Sequence, residues 1–223
     1  MITVEDLSKT YRTGSLEVHA LRHVSFTVAA GELLAVKGRS GSGKTTLLNL
    51  IGGLDTPESG RVVVGEHEVS TLGEAGLQRM RRETVGFVFQ SFGLIPVLSA
   101  AENVGVALRL TRTPSREREE RVRLLLAMVG LADHARQRPY ELSGGQQQRV
   151  AIARALAHEP RVLIADEPTG QLDSETAQAI MQLLRAVVRD QGVTAVVATH
   201  DPLLIRHADR VIELSDGVLA GHA

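Results

Sequence analysis

Between two apolar runs, Leu33–Val36 and Leu47–Ile51, the chain reads Gly38-Arg39-Ser40-Gly41-Ser42-Gly43-Lys44-Thr45-Thr46. This is the pattern G-x-x-x-x-G-K-[ST] in the context that gives it meaning, a strand before it and a helix after it. Gly38, Gly41 and Gly43 let the backbone curl so that successive N–H groups point inward, with Ser40 and Ser42 between them. The helix that starts at this point adds its N-terminal partial positive charge to the same spot. Such a nest suits phosphate oxygens. Lys44 is placed to reach the β- and γ-phosphates of a nucleoside triphosphate, the Thr45 hydroxyl to ligate Mg2+, and Thr46 to close the loop.

Composition narrows the setting. The 223 residues are 43% hydrophobic and 23% charged, ordinary values that exclude a disordered chain. At ~150 residues per domain, that length fits one large domain or one domain with an inserted lobe. Lys plus Arg number 25 and Asp plus Glu 26, a net charge of −1, so nothing marks a binder of nucleic acid or of anionic membranes. The absence of cysteine excludes disulfides and thiolate-held metals, and accords with a reducing compartment. The longest apolar run, Leu124–Val129, is far short of the ~18 residues of a membrane span, so no direct membrane insertion is expected. Met1–Thr10 lacks the basic-then-apolar order of a secretory leader.

Short Val/Leu/Ile-rich runs at 33–36, 86–89, 162–165 and 193–198 predict strands, most of them continuous enough to be buried on both faces of a parallel sheet. Helical spacing appears between them. From Ser174 to Asp190 the residues Ala177, Ile180, Met181, Leu184, Val187 and Val188 form one apolar stripe. After Pro114, Val122, Leu125, Leu126 and Val129 form another. The opposite side carries Glu117–Arg121 and Glu119–Arg123 at four-residue spacing, and Gly130 stands where the helix should end. This alternation predicts an α/β fold. Residues 2–28, with Ile2, Val4, Val24, Phe26 and Val28, predict an additional antiparallel portion. The stretch from about 91 to 149 reads as a helical lobe inserted between two strand-bearing parts, about 1–90 and 150–223, of a single domain.

The strand Val162–Ala165 runs into Asp166-Glu167-Pro168. A buried strand ending in two carboxylates delivers them to the carboxyl edge of the sheet, where open α/β folds bind ligands. Asp166 is the candidate Mg2+ ligand, and Glu167 the candidate general base for an attacking water. Together with the loop, these residues predict a Mg2+-dependent nucleoside triphosphatase.

Leu142-Ser143-Gly144-Gly145-Gln146-Gln147-Gln148-Arg149 resembles the signature sequence of the ATP-binding cassette (ABC) ATPases, and the family's other elements follow in order along the chain. Tyr11 resembles the aromatic residue that stacks on adenine. Gln90 resembles the Q-loop glutamine, which touches the metal and nucleotide. Asp173 resembles the D-loop aspartate, and His200 the switch histidine, placed to donate to the γ-phosphate or hold the attacking water. The resemblance implies ATP as substrate and Mg2+ as its partner ion, with Glu167, His200 and Lys44 catalytic. It also implies a homodimer in which each protomer's phosphate loop faces its partner's Ser143, Gly144, Gly145 and Gln146. A Ser at a helix start with free backbone N–H groups is itself an anion site.

Gly52-Gly53-Leu54-Asp55, the segment Val85–Val104 and Asp166–Gly170 resemble the lipoprotein-release, macrolide-export and cell-division group of that family, with Gln171 and Phe92-Gly93 as departures. In that group the ATPase works with a separate membrane permease, which implies a chain held peripherally at the cytoplasmic face of the membrane. Phe92, Leu94, Ile95, Pro96, Val97 and Leu98 form a candidate docking stretch, with ordinary core packing as the other reading. Arg79, Arg81 and Arg82 read as a solvated helix face, and the histidines other than His200 show no metal pairing. Transport and transmembrane signalling remain open at this stage. A soluble cassette acting on DNA or ribosomes is disfavoured by the missing coiled coils, zinc modules and basic excess.

Overall fold

A computed structural model describes residues 1–14 and 16–220. Two long antiparallel strands come first, β1 (Ile2–Thr13) and β2 (Leu16–Val28), followed by β3 (Leu33–Lys37), α1 (Lys44–Ile51), β4 (Ser59–Val64) and β5 (His67–Glu68). Next come α2 (Glu74–Glu83), β6 (Val85–Val88) and the helices α3 (Ala100–Leu110), α4 (Ser115–Met128) and α5 (Gly144–Ala155). The chain finishes with β7 (Val162–Asp166), α6 (Ser174–Gln191), β8 (Thr194–Thr199), α7 (Pro202–His207), β9 (Arg210–Ser215) and β10 (Val218–Ala220).

The strands form two sheets. An antiparallel one has the order β2-β1-β4-β5, and a six-stranded one has the order β10-β9-β3-β8-β7-β6. In the larger sheet, β9, β3, β8, β7 and β6 are mutually parallel, and β10 pairs antiparallel at the edge. The fold is therefore the α/β arrangement with an antiparallel N-terminal portion that the sequence predicts.

The central strands are apolar throughout because they separate two cores. Leu33 and Ala35 of β3, Leu163 and Ala165 of β7, and Ala195 and Val197 of β8 join a cluster with α3, α4, α5 and α6. Their neighbours Leu34, Val36, Val162, Ile164, Val196 and Ala198 face the other way, toward α1 and the antiparallel sheet. A strand buried on both faces has no polar positions, so its two-residue period cannot show in the sequence. The stripe predicted on α6 is entirely buried, and it packs on the first of these cores.

Several boundaries differ from expectation. β6 covers 85–88, leaving Phe89 outside and exposed, and β8 covers 194–199 rather than 193–198. The helix after Pro114, by contrast, ends where Gly130 is expected to stop it: Met128 is its last residue, Val129 its cap, and Gly130 takes φ 71°. Arg121 pairs with Glu159 at 3.5 Å rather than with Glu117, and its guanidinium also reaches the carbonyls of Leu156 and Ala157 at the end of the signature helix. The end of α5 offers Arg121 three acceptors at once, whereas an exposed i,i+4 pair is worth only about 0.3–0.5 kcal/mol. On α2, Arg81 donates to the Gly53 carbonyl and to Glu74, and Arg82 pairs with Glu83, so the cluster is not a free basic patch.

Candidate active site

The carboxyl edge of the parallel sheet gathers the chemistry. The loop after β3 runs into α1, β7 ends in Asp166, and His200 follows β8. Gly43 is the N-cap of α1 at φ 102°, a left-handed conformation that L side chains rarely adopt. A Cβ there would also lie 2.3 Å from the Ala20 carbonyl oxygen of β2. Both constraints demand glycine.

Lys44 is only 8% exposed. Its ammonium donates to the carbonyls of Gly38 (2.8 Å) and Arg39 (3.1 Å), and lies 3.6 Å from Oε1 of Glu167. Thr45 Oγ1 donates to Oδ2 of Asp166 at 2.7 Å, while Asp166 Oδ1 is buried without a hydrogen-bond partner. Burial pushes the Asp166 carboxyl above the usual carboxylate range, partly offset by the Thr45 hydrogen bond and reinforced by the Glu167 charge. Glu167 sits at φ 46°, its N–H bonded to the Ala198 carbonyl at 2.9 Å. Strain of this kind persists only where surrounding contacts over-determine it, and here the end of β8 supplies one.

Tyr11, Ser40, Gly41, Gly43, Lys44, Thr45, Thr46, Gln90, Asp166, Glu167 and His200 line one cavity of about 790 Å³. Glu17, His19, Arg22 and Asp216 line it too, and the sequence did not single them out. The antiparallel register that sets Arg12 opposite Glu17 and Thr10 opposite His19 brings the first two here, and its shifts leave no pattern in the sequence that would have found them. Gly38 and Ser42 belong to the loop but do not line this cavity. A second cavity of about 780 Å³ lies between the two sheets, but its cations are taken, Lys37 by Glu213 and Arg210 by Glu32.

The signature residues Ser143, Gly144, Gly145 and Gln146, and likewise Asp173, are not brought to this cavity. Ser143 caps α5. Its Oγ accepts from Gln146 N–H at 3.3 Å, and its own N–H donates to Gln146 Oε1 at 2.8 Å. Asp173 caps α6, accepting from the N–H groups of Glu175 and Thr176 and from Thr176 Oγ1. These hydrogen bonds hold the Asp173 carboxyl below the usual range. The two helix starts meet where a Cβ on Gly145 would lie 2.3 Å from Thr176 Cγ2. Of the apolar stretch after Gln90, Leu94 packs on the core, whereas Ile95, Pro96 and Val97 are exposed, Val97 at 71%.

The orphaned Asp166 Oδ1 and the Thr45 hydroxyl beside it form a hard-oxygen pair that fits Mg2+. No group of three or more His, Cys, Asp or Glu able to hold a metal occurs among the described residues; His222 lies outside them.

A family model described as "ABC transporter" matches residues 21–170. The chain belongs to the ABC transporter ATPase family. It is 48% identical over 217 residues to a macrolide export ATP-binding/permease protein MacB of Brucella melitensis, covering 97% of this chain and 33% of that protein. It thus spans about a third of the length of that relative. Over 221 residues it is 45% identical to the lipoprotein-releasing system ATP-binding protein LolD of Syntrophotalea carbinolica, covering 99% of this chain and 97% of that one. The dimeric post-hydrolysis structure of the cassette MJ0796 of Methanocaldococcus jannaschii, bound to ADP and Pi, superposes with a TM-score of 0.92 at 42% identity, covering 99% and 97% of the two chains. The chain is an ATP-binding, ATP-hydrolysing cassette of this family.

Proposed function

We propose that two copies of this chain close on ATP and that the cycle drives a separate membrane permease of the kind served by the lipoprotein-releasing and macrolide-export relatives. The carrying observation is the division of the site. Lys44, Thr45, Asp166, Glu167 and His200 converge on one cavity, and the Ser143 helix start faces elsewhere in the same protomer. A second protomer presenting its α5 N-terminus would complete the phosphate cage, and the dimeric MJ0796 relative supports this arrangement.

In this reading Tyr11 stacks on the base, and the loop from Gly38 to Thr46 receives the phosphates. Thr45, Asp166 and Gln90 would hold Mg2+, which when bound neutralises phosphate charge. Glu167, pinned by the β8 terminus, takes the proton of the attacking water, and His200 orients it or donates to the γ-phosphate. Asp173 stands at the subunit junction. Among the described residues no helix is long and apolar enough to cross a membrane. Force would therefore leave through a protein contact at the cytoplasmic face, for which Ile95, Pro96 and Val97 offer exposed apolar surface.

Size-exclusion chromatography of Glu167→Gln tests the scheme: with ATP it should run as a dimer, without ATP as a monomer. Adding Ser143→Arg should abolish the dimer yet leave ATP bound to the monomer. A dimer that persists in the double variant overturns the shared site.

A further inference from the structure

The base-stacking residue of the proposed site is held by two side chains outside the cavity. Tyr11 Oη donates to Oδ2 of Asp55 at 2.7 Å, and Lys9 Nζ lies 2.7 Å from the other carboxylate oxygen. The same ammonium donates to the Thr56 carbonyl at 2.7 Å and sits 5.1 Å from the centroid of the Tyr11 ring. Lys9 and Tyr11 are two residues apart on β1, so the strand period puts them on one side. Asp55 lies just past α1, on a turn tied back to the helix by Leu54 N–H to the Asn49 carbonyl at 2.8 Å. The Lys9–Asp55 pair is largely shielded, with side chains 14% and 28% exposed.

We infer that Lys9 and Asp55 are positioning residues that hold the Tyr11 ring as a fixed plate for the nucleotide base, bracing it on the far end of the helix whose near end cradles the phosphates. The inference rests on the reading of Tyr11 as the stacking residue. The phenol's bond to Asp55 fixes where the tip of the ring points, and the ammonium over one ring face limits rotation about the ring's long axis, so the ring is ordered before nucleotide arrives. A phenylalanine would stack equally well but could not be anchored in this way. The Tyr11 phenol is pushed above its ordinary range by burial and by the Asp55 carboxylate that accepts its proton, consistent with a hydroxyl committed to that bond.

The chain has two tyrosines and no tryptophan. Tyr140 is exposed and outside the cavity, so Tyr140→Phe leaves Tyr11 as the sole fluorescent reporter. In that background, ATP should quench the emission. Asp55→Asn and Lys9→Met should each raise the Kd and KM for ATP by about 3- to 10-fold with kcat within about twofold, and weaken the quench. Binding of inorganic tripolyphosphate, which has no base, should stay unchanged. Tyr11→Ala should raise the ATP Kd by about 5-fold or more, and Asp55→Asn should add nothing in its presence. If Tyr11→Ala weakens ATP while Asp55→Asn and Lys9→Met leave it unaffected, or weaken ATP and tripolyphosphate alike, the positioning role is wrong and the stacking reading survives. If Tyr11→Ala itself leaves ATP binding intact, the stacking reading fails.

Discussion

Nδ1 of His200 lies 2.9 Å from Oε2 of Glu167, a close contact without the alignment of a hydrogen bond. The two side chains differ sharply in access to water, His200 being 70% exposed and Glu167 12%. A shielded carboxylate flanked by Lys44 and a solvent-exposed imidazole is suited to take a proton and pass it to a group that solvent can reach. Glu167→Gln should therefore lower ATP turnover by about 10²–10⁴ while ATP binding stays near wild type. Steady-state phosphate release and equilibrium nucleotide binding check this, and turnover within tenfold of wild type contradicts the assignment.

Asp166 gives a pH prediction for the nucleotide-free, EDTA-treated protein. Its folded-state carboxyl binds a proton more tightly than in the unfolded chain, because burial penalises the charged form. The associated stability is fully present below the ordinary carboxylate range and is lost as pH rises through the raised folded value. At neutral pH the buried charge is a liability, so Asp166→Asn should raise the Tm even as it removes ATP turnover. Thermal melts of both proteins from pH 4 to 8 should converge toward the acid end, and a lower Tm for the Asn variant at neutral pH refutes the burial account.

Gly145 and Thr176 make a steric prediction. A methyl at 145 meets Thr176 Cγ2 at 2.3 Å and must push α5 from α6. Gly145→Ala should cost about 1–3 kcal/mol. At about 2–4 °C per kcal/mol for a chain of this size, the loss is visible in a thermal melt. Thr176→Ser deletes the clashing methyl and retains the hydroxyl that bonds Asp173 at 2.7 Å, so the double variant should recover most of the loss. Recovery of less than a third would show that the strain lies elsewhere.

Arg154 of α5 donates to the carbonyls of Phe92 (3.0 Å) and Gly93, two consecutive residues in the left-handed region. Desolvation holds its guanidinium below the ordinary arginine range. Arg154→Met keeps the apolar stem but leaves both carbonyls unpaired, costing about 1–3 kcal/mol. Amide exchange in 91–98 should quicken while α6 stays protected, as hydrogen–deuterium exchange would reveal. Uniform acceleration across both segments would count against a local clamp.

The loop from Gly38 to Thr46, the Asp166-Glu167 pair and the α6 stripe were legible because each has a local rule, whether glycine spacing, a charged strand end or a 3.6-residue period. Other elements had none. The helix α2 buries only Met80, so it shows no stripe, and β9 buries only Leu214 beside the sheet edge. β4 exists through pairing with β1, a contact between residues 51 to 62 positions apart, and the two-residue β5 exists only by pairing with β4. The strand β2 was legible, but not that its residues Glu17 to Arg22 wall the cavity, since that depends on register shifts within β1. The reach of Lys9 and Tyr11 to Asp55 was likewise unreadable, because no spacing rule links a strand to a turn beyond the next helix.

The place of β3 between β8 and β9 has a consequence for biosynthesis. The strand that launches the phosphate loop is made first, and both of its hydrogen-bonded neighbours follow it by more than 150 residues. Until they arrive, the loop hangs from an unpaired ribbon with nothing to hold its curl. A nascent chain that has not yet reached β8 and β9 can thus hardly squander fuel, for the engine assembles only once both strands have been made.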